Sequence, residues 1–179
     1  MARSPRPAVA PLLAPLLAPL LALLLALPPA RGWGQDVPVE SLTVTNGGPW
    51  GEWGEAEFCP KGSYAVGVQL KGTASSSVAP RGSWLGAQRC PGQQRLASFR
   101  LRVEAPRGLW DDAAASNLDA LCEGGEVLQG EGTMAGAWGN WSQPCSPSWW
   151  VCGLRTLVEP PQKAGDDTGL NSLQLFCCP

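Results

Sequence analysis

Landmarks in this chain recur at a fixed offset, which restricts it to folds that use one supersecondary unit several times. Cys90 and Cys122 lie 32 positions apart, as do Cys145 and Cys177. Val103-Glu104-x-Pro106 returns 55 positions later as Val158-Glu159-x-Pro161, and Asp111-Asp112 returns at the same offset as Asp166-Asp167. A third copy opens with Gly48-Pro-Trp-Gly-Glu-Trp53, Cys59-Pro-Lys-Gly62 and Ala65-Val-Gly-Val-Gln-Leu70, and then stops. Trp50 to Trp84 spans 34 positions against 54 from Trp84 to Trp138. On that spacing roughly twenty residues are missing from the first copy, the half that elsewhere carries Asp-Asp and a closing cysteine. The copies run over about 42–80, 81–134 and 135–179.

The repeats follow a leader. Arg3 and Arg6, the apolar run Leu12 to Leu27 and the small residues between Ala30 and Gly34 read as a secretory signal peptide over 1–34, with one domain over 35–179. Pro11, Pro15, Pro19 and Pro28-Pro29 disfavour a spanning helix over that run. Taking Arg3, Arg6 and Arg31 from the 13 basic residues leaves 10 against 15 acidic ones. That balance argues against nucleic acid and, once the leader is removed, against membrane, since both want a basic footprint. Histidine is absent, which excludes a nucleophile served by imidazole and removes the commonest zinc ligand. No cofactor is expected.

Past Gln35, Gly and Pro punctuate the chain every few residues. Leu42–Thr45, Tyr64–Leu70, Leu96–Val103, Gly153–Val158 and Leu173–Phe176 read as strands. Phe99, Leu101 and Val103 alternate with Arg100 and Arg102, which puts the apolar set on one face. No helical period is sustained. The expected architecture is all-β, three pseudo-equivalent sheets around one core, with the first sheet truncated. Gly72–Pro80, rich in serine, reads as a linker or splice junction where the first copy should continue.

Seven cysteines behind a signal peptide imply disulfides in an oxidising compartment. Equivalent units close equivalent loops, so the repeat predicts Cys90 with Cys122 and Cys145 with Cys177. Cys152 and Cys178 are left as a clasp for the last unit, and Cys59 as the unpaired seventh. Exchange of Cys177 and Cys178 between these partners stays open.

Asp111, Asp112, Asp166 and Asp167 are the candidates for carboxylate catalysis on glycans, although paired aspartates also suit turns. Occurrence in two units favours the turn. Of the nine tryptophans, Trp50, Trp53, Trp84, Trp138 and Trp141 open the units and read as packing residues. Trp110, Trp149 and Trp150 are left as glycan-stacking candidates, with Asn171 as a polar neighbour. Asn140-Trp-Ser142 fits the N-glycosylation pattern. No metal-ligand spacing is present.

The Gly-Gly-Pro-Trp-Gly-Glu-Trp53 opening, Phe99-Arg-Leu-Arg-Val-Glu-Ala-Pro106, and Gly165-Asp-Asp-Thr-Gly-Leu-Asn171 with Leu175-Phe-Cys-Cys178 closely resemble the vitelline membrane outer layer protein 1 family. The resemblance runs from about Val37 to Pro179. It implies a disulfide-held β-prism of three Greek-key sheets, similar in shape to jacalin-type lectins, secreted and structural or protective in an extracellular coat. Glycans or coat glycoproteins are the implied partners. Transfer between N-acetylglucosamine oligomers, attributed to avian relatives, is the implied alternative activity. In the second unit, Asp111-Asp112-Ala-Ala-Ala-Ser116 departs from the threonine and asparagine found at Thr168 and Asn171.

Overall fold

Two long antiparallel hairpins form the backbone of the structure, and short strands from elsewhere in the chain are laid against their outer edges. The computed structural model describes Trp33 and residues 37–72, 83–105, 114–159 and 169–179. The expected leader, most of the serine-rich linker, and Trp110, Asp111, Asp112, Asp166 and Asp167 lie outside these residues. Among the described residues there are 13 strands and no helix. They are β1 (Glu40–Leu42), β2 (Glu52–Trp53), β3 (Glu57–Phe58), β4 (Gly67–Val68), β5 (Lys71–Gly72), β6 (Ser83–Trp84), β7 (Gln88–Arg89), β8 (Leu96–Val103), β9 (Ala115–Cys122), β10 (Val127–Gln129), β11 (Ala137–Trp138), β12 (Trp150–Val158) and β13 (Leu170–Cys178).

The strands build a β-prism with two full walls and one reduced wall. The first wall has the order β1-β13-β12-β2, with β3 also on β12; the second is β10-β9-β8-β11. The third is one interrupted hairpin, β4 on β7 and β5 on β6. Each full wall is a central hairpin with a cover strand on each side. β8 alternates as its sequence requires, with Phe99 and Leu101 fully buried and Arg100 and Arg102 half-exposed. β9 is absent from the sequence-based reading because Ser116, Asn117 and Asp119 break its apolar pattern. All three are buried and satisfied locally: Asn117 Oδ1 accepts from Leu118 N at 2.8 Å and Gly132 N at 3.1 Å, and its Nδ2 donates to Gly130 O.

Three backbone hydrogen bonds define how the walls correspond. Gly54 N donates to Thr156 O, Leu85 N to Leu70 O, and Gly139 N to Leu101 O. Cys59, Cys90 and Cys145 likewise donate from N to Cys152, Val66 and Ala97 carbonyls. Trp53, Trp84 and Trp138 are therefore the equivalent tryptophans, paired with Leu157, Lys71 and Arg102. This corrects the alignment through Trp50. Trp53 to Trp84 is 31 positions against 54 from Trp84 to Trp138, so the first copy is short by 23. The glycine two residues before the tryptophan is required. Gly51 (φ +103°) and Gly136 (φ +77°) hold left-handed backbone, and a Cβ on either would collide with the Val158 or Val103 main chain.

One core joins the walls: Leu42 and Leu175 from the first, Phe99, Leu101 and Leu118 from the second, and Leu70 from the third. Cys90–Cys122 and Cys145–Cys177 tie neighbouring walls, each opening cysteine sitting on one wall and bonding the closing strand of the next. Cys152–Cys178 lies within the first wall, beside Trp33 and Phe176. Cys59 is unbonded.

Candidate surface site of indole and cation pairs

Because side chains alternate along a strand, the residues between the core positions of β8 and β12 project outward. On β8 these are Arg100 and Arg102. Arg100 lies in register with Asp119 of β9, and its Nε and Nη2 donate to Asp119 Oδ2 at 3.0 and 2.7 Å. The Asp119 side chain is only 3% exposed, and its other oxygen accepts from Gly130 N at 3.2 Å. The guanidinium so fixed lies 4.6 Å from the Trp138 ring centre and 4.8 Å from that of Trp141. Arg102 stands 5.8 Å from the Trp138 ring centre and donates from Nε to Gly136 O.

A tryptophan near a cation recurs on the other walls, with the cation at the Arg100 position on the first wall and at the Arg102 position on the reduced one. Arg155, 55 positions beyond Arg100, lies in register with Gln174, 55 beyond Asp119. Its Nε donates to Gln174 Oε1, and its guanidinium lies 4.8 Å from the Trp53 ring. On the reduced wall, Lys71 Nζ lies 5.9 Å from Trp84. Exposed pairs of this kind each contribute about 0.5–1 kcal/mol, enough to bias the orientation of an indole. The chemical result is an apolar plate with N–H donors nearby on each wall.

These tryptophans are not core. Trp50, Trp53 and Trp84 are 53%, 42% and 64% exposed, which reverses the packing role read from their repetition. Trp53 and Trp84 lie on the outer strands of their walls, each beside a cation, while Trp50 precedes β2. Trp149, expected to be exposed, is half-buried and packs against the core. Trp150 is half-buried beneath Arg95, whose guanidinium is 4.1 Å from its ring, and edge-on to Tyr64 at 5.3 Å. Arg95 is tied in turn to Glu123, and the Tyr64 hydroxyl donates to the Pro179 carbonyl. Asn171 is fully buried, with neither side-chain polar atom bonded to a described residue, so it is not a surface acceptor. β13 is covered on both faces, which no alternation in its sequence discloses.

Asn140 is exposed between two half-buried tryptophans, while Ser142 of the same triplet is buried and binds Ser98 and the Phe99 amide. Cys59 is half-buried, and desolvation pushes its thiol above the ordinary range, partly offset by a backbone hydrogen bond. Among the described residues no His, Cys, Asp and Glu cluster could hold a metal ion. The arginines and Asp119 were missed in the sequence, although the 55-residue recurrence of Arg100 with Arg155 and Asp119 with Gln174 was there to find them.

Repeated walls, wall-to-wall disulfides and outward indoles define a class: a disulfide-stapled β-prism that presents a repeated aromatic surface. The model of the vitelline membrane outer layer protein I family matches residues 71–179. A vitelline membrane outer layer protein 1 homolog of Homo sapiens is 38% identical, covering 76% of this chain and 82% of that protein. Its Mus musculus counterpart is 33% identical over the same shares. The chain belongs to the vitelline membrane outer layer protein I family. Among solved structures it is similar to frutapin, a lectin from Artocarpus incisa, at 11% identity and a TM-score of 0.47, covering 80% of this chain and 97% of that one. Artocarpin in its mannopentose complex is similar at 12% identity and a TM-score of 0.46, covering 80% and 98%.

Proposed function

We propose that this protein is a secreted structural component of an extracellular coat, released by removal of residues 1–34, and that its indole and cation pairs are where it contacts coat glycans. The observation that carries this reading is the recurrence of one unit, a tryptophan beside a cation, at the equivalent place on all three walls at Trp53, Trp84 and Trp138. A rigid indole offers its face to the apolar side of a sugar ring, and neighbouring N–H groups offer donors to hydroxyls. Three weak sites on one rigid body gain by multivalency, provided that neighbouring glycans can engage them together. That suits cross-linking a matrix better than turning over a soluble substrate. Family membership supports the coat assignment, and three disulfides suit an oxidising compartment.

The test is retention of the secreted protein on immobilised N-acetylglucosamine oligomers, compared with the Trp53→Ala, Trp84→Ala and Trp138→Ala triple variant. Retention of the native protein and loss in the triple variant, at unchanged disulfide content, supports the reading. Equal retention of both removes the indoles as contacts. Conversion of the oligomers to longer or shorter products would instead support the carboxylate chemistry considered for Asp111, Asp112, Asp166 and Asp167.

A further inference from the structure

We propose that the open side of the third wall is a docking groove for one extended strand of a partner protein, apolar at alternate positions and ending in a cysteine that bonds Cys59. In the full walls, β8 and β12 are paired along both edges, one edge always covered by the closing strand, β9 or β13. β4 and β5, their equivalents in the third wall, pair only with β7 and β6 among the described residues. That edge, uncovered among the described residues, runs along a cavity of about 610 Å3, lined by Val68, Leu70, Phe99, Leu154, Val158 and Leu173 among others. An apolar trough beside an unpaired strand edge is the geometry of strand addition, in which main-chain bonds give affinity and side-chain pockets give specificity.

The internal repeat shows what the groove lacks. Leu154 occupies in the first wall the place of Phe99 in the second, 55 positions earlier. Phe99 is fully buried, whereas Leu154, which lines the same cavity, is 42% exposed. Leu154 lines the cavity, and a docked strand would cover it. The cysteines agree. Cys90 and Cys145 bond the closing strands at Cys122 and Cys177, which stand opposite Leu96 and Val151. Cys59 holds the same opening position, and the residue equivalent to Leu96 and Val151 is Ala65. Cys59 and Ala65 both line the cavity.

The two existing closing strands specify the occupant. Leu118 and Leu173 face Leu101 and Thr156; Ala120 and Leu175 face Phe99 and Leu154; polar Asp119 and Gln174 lie between them, facing outward arginines. The docked strand therefore places leucine opposite Leu70, a second apolar residue opposite Val68, a polar residue opposite exposed Gln69, and cysteine opposite Ala65. Among the described residues a second copy has no such strand to give, because its own β9 and β13 are paired on both sides and held by disulfides. The bond forms by exchange. The Cys59 thiolate attacks a partner cysteine carried as a mixed disulfide, one S–S bond breaks as another forms, and the displaced thiolate leaves without net oxidation.

The probe is a synthetic peptide copying residues 169–177, its cysteine activated as a mixed disulfide with thionitrobenzoate and offered to the purified, secreted full chain. The expected result is a one-to-one adduct at Cys59, formed about tenfold faster than with the same peptide carrying Leu173→Asp and Leu175→Asp, which corresponds to about 1.4 kcal/mol of groove recognition. Amides of residues 67–71 gain hydrogen-exchange protection in the adduct. They also gain it in Cys59→Ser with the unactivated peptide, where no covalent bond can form. Equal rates for the two peptides, or an adduct without that protection, would reduce Cys59 to an accessible thiol and overturn the proposal. A Cys59-linked homodimer with its groove already covered overturns it too. So does uptake of dodecanoate into the cavity that the peptide cannot displace, since a cavity of this size also suits an apolar small molecule.

Discussion

Replacing Arg100 with methionine should destabilise the protein far more than replacing its partner, Asp119→Gln, and the asymmetry comes from burial. Asp119 has 3% of its side chain exposed and Arg100 has 29%. Removing the guanidinium leaves a desolvated carboxylate with one remaining donor, the Gly130 amide, and breaking a buried pair in this way costs about 3–5 kcal/mol. The stacks on Trp138 and Trp141 go with it, at about 0.5–1 kcal/mol each. Asp119→Gln keeps an acceptor for the guanidinium, which retains both indoles and some water, so it should cost only about 1–2 kcal/mol. The first wall already contains that arrangement, with Arg155 donating to Gln174 at the equivalent place. Urea unfolding followed by tryptophan fluorescence would separate the two, since an m-value of about 2 kcal/mol per molar turns the difference into more than a molar of midpoint. Arg100→Met with Asp119→Gln should recover part of the single-variant loss. Equal losses for the two single variants, or a loss below about 1 kcal/mol for Arg100→Met, would refute the claim that Asp119 carries a desolvated charge.

Removing either wall-to-wall disulfide should cost about the same, near 4 kcal/mol by loop entropy, because both close loops of 32 residues; calorimetry of Cys90→Ser/Cys122→Ser and Cys145→Ser/Cys177→Ser checks it. Gly136→Ala should lower stability by about 2 kcal/mol or more through a forced positive φ and collision with Val103, whereas Gly62→Ala, also at positive φ but in open space, should cost only about 1 kcal/mol. Burial raises the Cys59 thiol in the folded state, so its contribution to stability is present below the unfolded thiol pKa, about 8.5, and is lost as pH rises through the folded value. Stability measured from pH 7 to 10 should therefore fall less in Cys59→Ser than in the native chain. Asn140 should carry a glycan in protein secreted from mammalian cells, seen as a mass change on amidase treatment that Asn140→Gln abolishes.

What was legible in the chain was what repeats. An offset of 55 ties Val103 to Val158, and backbone bonding at Leu101 and Thr156 shows the walls obeying it. β8 could be read from Phe99, Leu101 and Val103 because one of its faces meets solvent. β9 could not, and of β13 only Leu173–Phe176 could, since strands covered on both faces need not alternate, and polar residues such as Asn117 are accepted where backbone partners converge on them. The surface site was missed for a related reason. A recurring tryptophan looks the same whether it fills a core or lies on a cation, and the cation belongs to a strand distant in sequence: Arg155 for Trp53, Arg100 for Trp138.

The sequence by itself determined the all-β character, the count of units and the incompleteness of the first, because these depend on periodicity and spacing alone. Tertiary structure decided which tryptophan corresponds to which, that Asn171 is core, and that Cys59 and Lys71 line one cavity. Burial and exposure are properties of neighbours. Residues distant in sequence, such as Cys59 and Leu173, come to line one cavity only when the walls close.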